Sequence, residues 1–239
     1  MLSLEDLQQK TIGLLCLATM ARPRSDLGRL QYQDVILKYG ENESLLSAVL
    51  HFRQAKETQV KTITLGPIED ISVCPVRALE TFLKKTTGIR ISLPQDHTLF
   101  LAYIMEVSKV TSIRPSTLAN WVKQLMRQAG VDPNYKAHSI RSASSTKAVA
   151  RGNTIQSVKK HANWSLNTDT FESFYYKPTA ANSTSTLITN SILTPENLIT
   201  LGAEAEETEI VVGVPIKSVI RWRLGWLPGG KPKKCKYQP

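Results

Sequence analysis

"AHSIRSASSTKAVARG", residues 137–152, opens with a histidine, places an arginine three residues later, and runs through small residues to a glycine. Small side chains suit a closely packed helix, and Gly152 supplies its stop. His138 and Arg141 are therefore predicted to share one face of the first turn. Free backbone N–H groups and the helix dipole attract anions there. A guanidinium at that place can hold a phosphate through two parallel hydrogen bonds. The plain alternative is an arginine paired with a nearby carboxylate and a histidine that closes a loop.

The whole chain frames that reading. Its 239 residues suit one ordinary domain plus a tail, and 41% hydrophobic residues are enough for a core. Lys and Arg number 30 against 20 Asp and Glu, a formal charge of +10. Such a surplus favours a polyanionic partner. Residues 1–178 hold 23 basic and 15 acidic residues, and residues 179–239 hold 7 and 5, so the excess sits on the first part. Cys16, Cys74 and Cys235 are odd in number and lack metal spacing, so reduced intracellular thiols are expected. The apolar run Leu14–Leu17 is too short to span a bilayer, and no signal peptide is visible.

Element by element, the pattern is mainly helical with one small antiparallel sheet, an α+β chain. Ser3 and Asp6 open a helix over Leu4 to about Met20. Ser25 is the expected cap of a second. "LLSAVLHF" and "QVKTITL" read as the strands of a hairpin, with "RQAKET" between them. Pro75 starts the helix "PVRALETFLKKT". "TLFLAY" reads as a strand or core segment, and Ser116 as the cap of a helix that Gly130 ends. After Gly152 come helices over "TIQSVKKHA" and "DTFESFYY". The Ser-, Thr- and Asn-rich stretch after Pro178 reads as a linker. Residues 1–178 form the expected domain, and 179–239 a linker and tail of no assigned role.

The run from His138 resembles the catalytic box of tyrosine recombinases, the phage-integrase family. H-x-x-R opens a helix that ends at Gly152, Trp164 follows 26 residues after His138, and "DTFESFYY" brings Tyr175 and Tyr176. "NW" stands where the family usually has "GW", with Trp164 at its His/Trp position. Upstream, Thr19, Met20, Ala21 and Arg22 match T-G-x-R, with Met20 in place of the glycine. Arg24 is the alternative to Arg22. Asp26 falls where the family has an acid that supports the basic residues. The family's lysine lies on a hairpin like "FRQAKETQVKTITL"; Lys56 is the choice and Lys61 lies farther along. Tyr175 fits the family ending best, with Tyr176 as the alternative. The wording is most similar to DIRS-like and crypton-like mobile-element recombinases, and the resemblance spans roughly residues 4–178. It begins inside the catalytic domain, so a missing N-terminal core-binding domain and weak DNA binding are expected.

The resemblance implies site-specific DNA recombination through a 3′-phosphotyrosyl intermediate. The two arginines and His138 would neutralise the non-bridging oxygens. The tyrosine would attack phosphorus. Lys56 would protonate the leaving 5′-oxygen, and Trp164 would buttress the site. No metal or cofactor is implied. The partners implied are double-stranded DNA and a homo-oligomer assembled on it, with no membrane, in a nucleus if the source is eukaryotic. The rival readings are a non-catalytic DNA-binding descendant and a type IB topoisomerase-like nicking-closing enzyme. His161 is expected at the surface of a helix end, and His51 and Trp121 in structural roles.

Overall fold

The computed structural model describes residues 2–53 and 60–193. Helix α1, Leu4–Thr19, starts where Ser3 Oγ accepts the Asp6 N–H. A three-stranded antiparallel sheet comes next, ordered β1 (Val35–Tyr39), β2 (Leu45–Phe52), β3 (Lys61–Leu65). Phe52 pairs with Lys61, so β2 and β3 are the expected hairpin, and β1 is an added strand. Then come α2 (Pro75–Arg90), a two-residue pair β4 (Leu101–Ala102) and β5 (Thr111–Ser112), and α3 (Pro115–Gln128). The chain continues through α4 (Ser139–Ala150), α5 (Ile155–Ala162), α6 (Thr170–Phe174) and α7 (Thr184–Leu193). The mainly helical α+β class is as the sequence implies.

Several local expectations are corrected. No α-helix follows Ser25; a 3-10 turn, Leu27–Arg29, stands there. The Asp26 carboxylate organises the bend, accepting the Arg22 N–H at 2.7 Å and the Ser25 hydroxyl at 2.9 Å. Gly28 lets this bend touch the start of α3, since a Cβ there would lie 2.8 Å from Pro115 Cα. Ser116 does not cap α3: Pro115 takes the first helical position and Arg114 the cap. The stretch read as a linker carries α7.

The main core gathers Leu15, Leu50, Leu79, Phe82, Phe100 and their neighbours between α1, α2, α3 and the sheet. α1 runs through its middle and touches α2, α3 and α4. Gln8 is buried yet satisfied, donating to the Leu101 carbonyl at 3.0 Å and accepting the Leu101 N–H at 2.8 Å. A separate small core holds Met20, Val158, Ala162 and Phe171, with Trp164, Tyr175 and Tyr176 half-buried around it. Trp164, Tyr175 and Tyr176, three of the residues singled out by the sequence, lie on this second core. Among the described residues no helix is long and apolar enough to cross a membrane, and no group of three or more acidic, His or Cys side chains is placed to hold a metal.

Candidate active site

The site begins with three chain reversals. α3, α4 and α5 each end in the same pair of hydrogen bonds, a six-to-one and a five-to-two closure around a left-handed residue. That residue is Gly130 (φ 82°), Gly152 (φ 92°) and Asn163 (φ 59°). Asn is the common substitute for glycine in this conformation. "NW" thus keeps the backbone turn of "GW" and delivers Trp164 directly after α5. Met20 (φ 52°) closes α1 in the same left-handed region, again where the resemblance has glycine. A long side chain there is uncommon, and its burial against Val158, Ala162 and Phe171 accounts for it.

Arg141 lies at the centre, in the first turn of α4, with only 3% of its surface exposed. One terminal nitrogen donates to the Met20 carbonyl, and the other donates to the Ala162 carbonyl at 2.7 Å. Those carbonyls belong to the ends of α1 and α5, where helix dipoles favour a cation. The guanidinium stacks on Trp164, 3.9 Å from the ring centroid, and lies 5.8 Å from that of Tyr175. Among the described residues its buried Nε has no hydrogen-bond partner. Burial pushes the guanidinium down to about 10; Asp26 and Tyr175 oppose the fall and Arg22 adds to it. It stays charged at neutral pH. Among the described residues no carboxylate pairs with Arg141, the plain alternative raised by the sequence. Backbone carbonyls hold it instead.

Around this buried cation stand exposed ones. Arg22 packs by its Nε 3.5 Å from buried Asp26, with 44% of its side chain exposed. Arg24 is exposed, and His138 is exposed at the cap position of α4. Lys56 lies outside the described residues. Lys61 is buried on β3, with its ammonium over the Phe52 ring.

Tyr175 and Tyr176 are not on a helix, as the sequence suggested, but follow the end of α6. Tyr175 packs on Trp164 with centroids 4.9 Å apart, and Tyr176 packs on Phe171 at 5.8 Å. Arg141, Trp164 and Tyr175 thus meet in one cluster, and Asp26 and Arg22 lie near enough for their charges to act on the Arg141 guanidinium; Tyr176 turns to the apolar side. His161 is half-buried rather than a surface residue, and its Nε2–H donates to the Ala18 carbonyl at 2.8 Å. Sequence reasoning missed Lys159. Its ammonium is buried, donating to the Thr168 carbonyl at 2.5 Å and to Glu172 at 3.1 Å, and it ties α5 to α6. The only signal in the sequence was a lysine on the apolar face that Val158 and Ala162 define.

No family model matches the chain, and no curated protein matches it. Among solved structures it is similar to XerA recombinase, with a TM-score of 0.52 and 18% identity over 81% of this chain and 65% of that one. The fold is thus that of a recombinase. The chain spans under two thirds of that protein's length.

Proposed function

We propose that this chain is the catalytic part of a tyrosine recombinase, which cuts and rejoins DNA through a 3′-phosphotyrosyl link. The carrying observation is that Arg141, Trp164 and Tyr175 meet, with Asp26 and Arg22, paired to each other, close enough for their charges to act on Arg141. On this reading the exposed Arg22 and His138 bind the non-bridging oxygens of the scissile phosphate, with Arg24 beside them. Arg141 adds positive charge from beneath and favours negative charge building on Tyr175. The Tyr175 hydroxyl gives up its proton to solvent, its oxygen attacks phosphorus and forms the O–P bond, and the bond to the 5′-oxygen breaks. The leaving oxygen takes a proton, a role proposed for Lys56 on sequence grounds alone. The bond energy is kept in the phosphotyrosine for religation. The sequence wording supports a DIRS-like or crypton-like mobile element, nuclear in a eukaryote, assembling as an oligomer on duplex DNA.

Nicked suicide DNA substrates test the reading, because cleavage traps the covalent adduct. Adduct is expected with the parent chain, none with Tyr175→Phe, and nearly the parent amount with Tyr176→Phe. The reverse pattern would move the nucleophile by one residue. A second reading, a DNA-binding descendant without catalysis, draws on one observation: both terminal nitrogens of Arg141 are committed to backbone carbonyls. DNA binding with no adduct, even when a core-binding domain is fused to the N-terminus, would decide for it.

A further inference from the structure

The backbone after α6 is held by hydroxyl groups of α4. Tyr175 closes α6, and a helix-end carbonyl of this kind has no partner within its own helix. Ser142 Oγ donates to that carbonyl, and Thr146 Oγ1 also donates to it at 3.2 Å. Thr146 Oγ1 in turn accepts the Lys177 N–H at 2.9 Å. Ser142 and Thr146 are four residues apart, so they share a helix face one turn along. Three hydrogen bonds therefore bind the segment 175–177 to the helix that begins with His138 and Arg141. Two further serines of α4 behave differently: Ser144 and Ser145 bond back to carbonyls of α4 itself.

We infer that Ser142 and Thr146 are positioning residues that set the register of the tyrosine pair on α4, turning Tyr175 onto Trp164 and Arg141 and leaving Tyr176 on Phe171. The inference deepens the recombinase reading and rests on it for its catalytic consequence. The two tyrosines are chemically identical neighbours just past a helix end, so ring packing alone could accommodate either one. Anchoring the carbonyl of the first and the N–H of the residue after the second fixes the backbone on both sides of the choice. The anchor is polar and half-buried, so it holds the segment without welding it into the apolar core.

Thr146→Val removes the donor and the acceptor at nearly constant shape, Thr146→Ser keeps both, and Ser142→Ala removes one donor. Two measurements on the full chain separate this inference from the reading beneath it. The first is amide hydrogen exchange resolved at Lys177 in the free protein. The parent and Thr146→Ser are expected to protect it, and Thr146→Val to exchange it at least about tenfold faster, the order expected when a net hydrogen bond is lost. Equal protection in the parent and Thr146→Val would overturn the inference. The second is adduct formation on nicked DNA, with the modified tyrosine located by peptide mapping. At saturating DNA, Thr146→Val is expected to slow the reaction about tenfold with unchanged DNA affinity, to place a share of adduct on Tyr176, and to be rescued by Thr146→Ser. Ser142→Ala is expected to show a smaller effect in the same direction. Adduct confined to Tyr175 at the parent rate in Thr146→Val would overturn the positioning role. If the parent forms no adduct while Lys177 exchange responds as expected, the recombinase reading fails and the backbone anchor stands.

Discussion

The Arg141 guanidinium sits where the carbonyl ends of α1 and α5 meet, and its face is closed by an indole. Removing it leaves two buried acceptors unsatisfied, each worth about 1–3 kcal/mol. Arg141→Met is therefore expected to destabilise the fold by about 3 kcal/mol. Arg141→Lys should cost somewhat less, because one ammonium keeps the charge but cannot fork to both carbonyls or stack flat. Urea unfolding of the variants checks this; a loss below about 0.5 kcal/mol for Arg141→Met would show that the carbonyls need no such partner. Met20 sets two effects against each other. Glycine there relieves about 1 kcal/mol of left-handed strain but removes a buried side chain worth about 2–5 kcal/mol. Met20→Gly should thus destabilise, although glycine is what the resemblance leads one to expect. Stabilisation on thermal unfolding would mean strain dominates. At this scale the sequence named Arg141, Trp164 and Tyr175, which pack together, but not how Arg141 is held. A carboxylate partner is a letter in the sequence, whereas a backbone carbonyl belongs to every residue and appears only once helix ends are juxtaposed. Lys159 was hidden for the same reason, with the Thr168 carbonyl among its acceptors.

Helices with strong end signals were legible as elements. Ser3, Pro75, Gly130 and Gly152 all stand at or beside the boundaries they were expected to mark. Elements fixed by tertiary contact were not. β1 exists because it pairs along β2, and Ser25 caps no helix because its hydroxyl donates to the Asp26 carboxylate and only a 3-10 turn follows. α7 was obscured by composition: Ser, Thr and Asn are poor helix formers, yet "TSTLITNSIL" is helical. Tyr175 and Tyr176 fell outside α6 because that helix is only five residues long. The bend that carries Arg22 and Asp26 offers the sharpest test of element packing. A methyl at Gly28 would meet the Pro115 backbone at 2.8 Å, and backbone cannot give way as a flexible side chain can. Gly28→Ala is expected to lose about 2 kcal/mol through overpacking and to weaken DNA binding by shifting Arg22 and Arg24. Unchanged thermal stability would mean that the bend and α3 separate without penalty.

Across the whole molecule, the charge balance bears on the DNA partner proposed above. Most of the basic excess, 23 basic against 15 acidic residues, lies in residues 1–178. If DNA is that partner, binding releases counterions from each neutralised phosphate, and the logarithm of affinity falls with the logarithm of salt at about 0.9 per contact. Loss of one phosphate-binding cation should flatten that slope by about one unit. The exposed Arg22 is positioned to make such a contact, whereas Arg141 has both terminal nitrogens on carbonyls. Arg22→Ala is therefore expected to weaken duplex binding and flatten the slope. Arg141→Met, assayed at a temperature where circular dichroism shows it folded, should leave the slope nearly unchanged. Titrations of a labelled duplex from low to moderate salt distinguish the two. A flattened slope for Arg141→Met alone would show that the guanidinium leaves the helix ends to meet DNA, and that the packed arrangement is a resting one. An affinity indifferent to salt in the parent would remove phosphate from the site altogether, and with it the chemistry proposed for Tyr175.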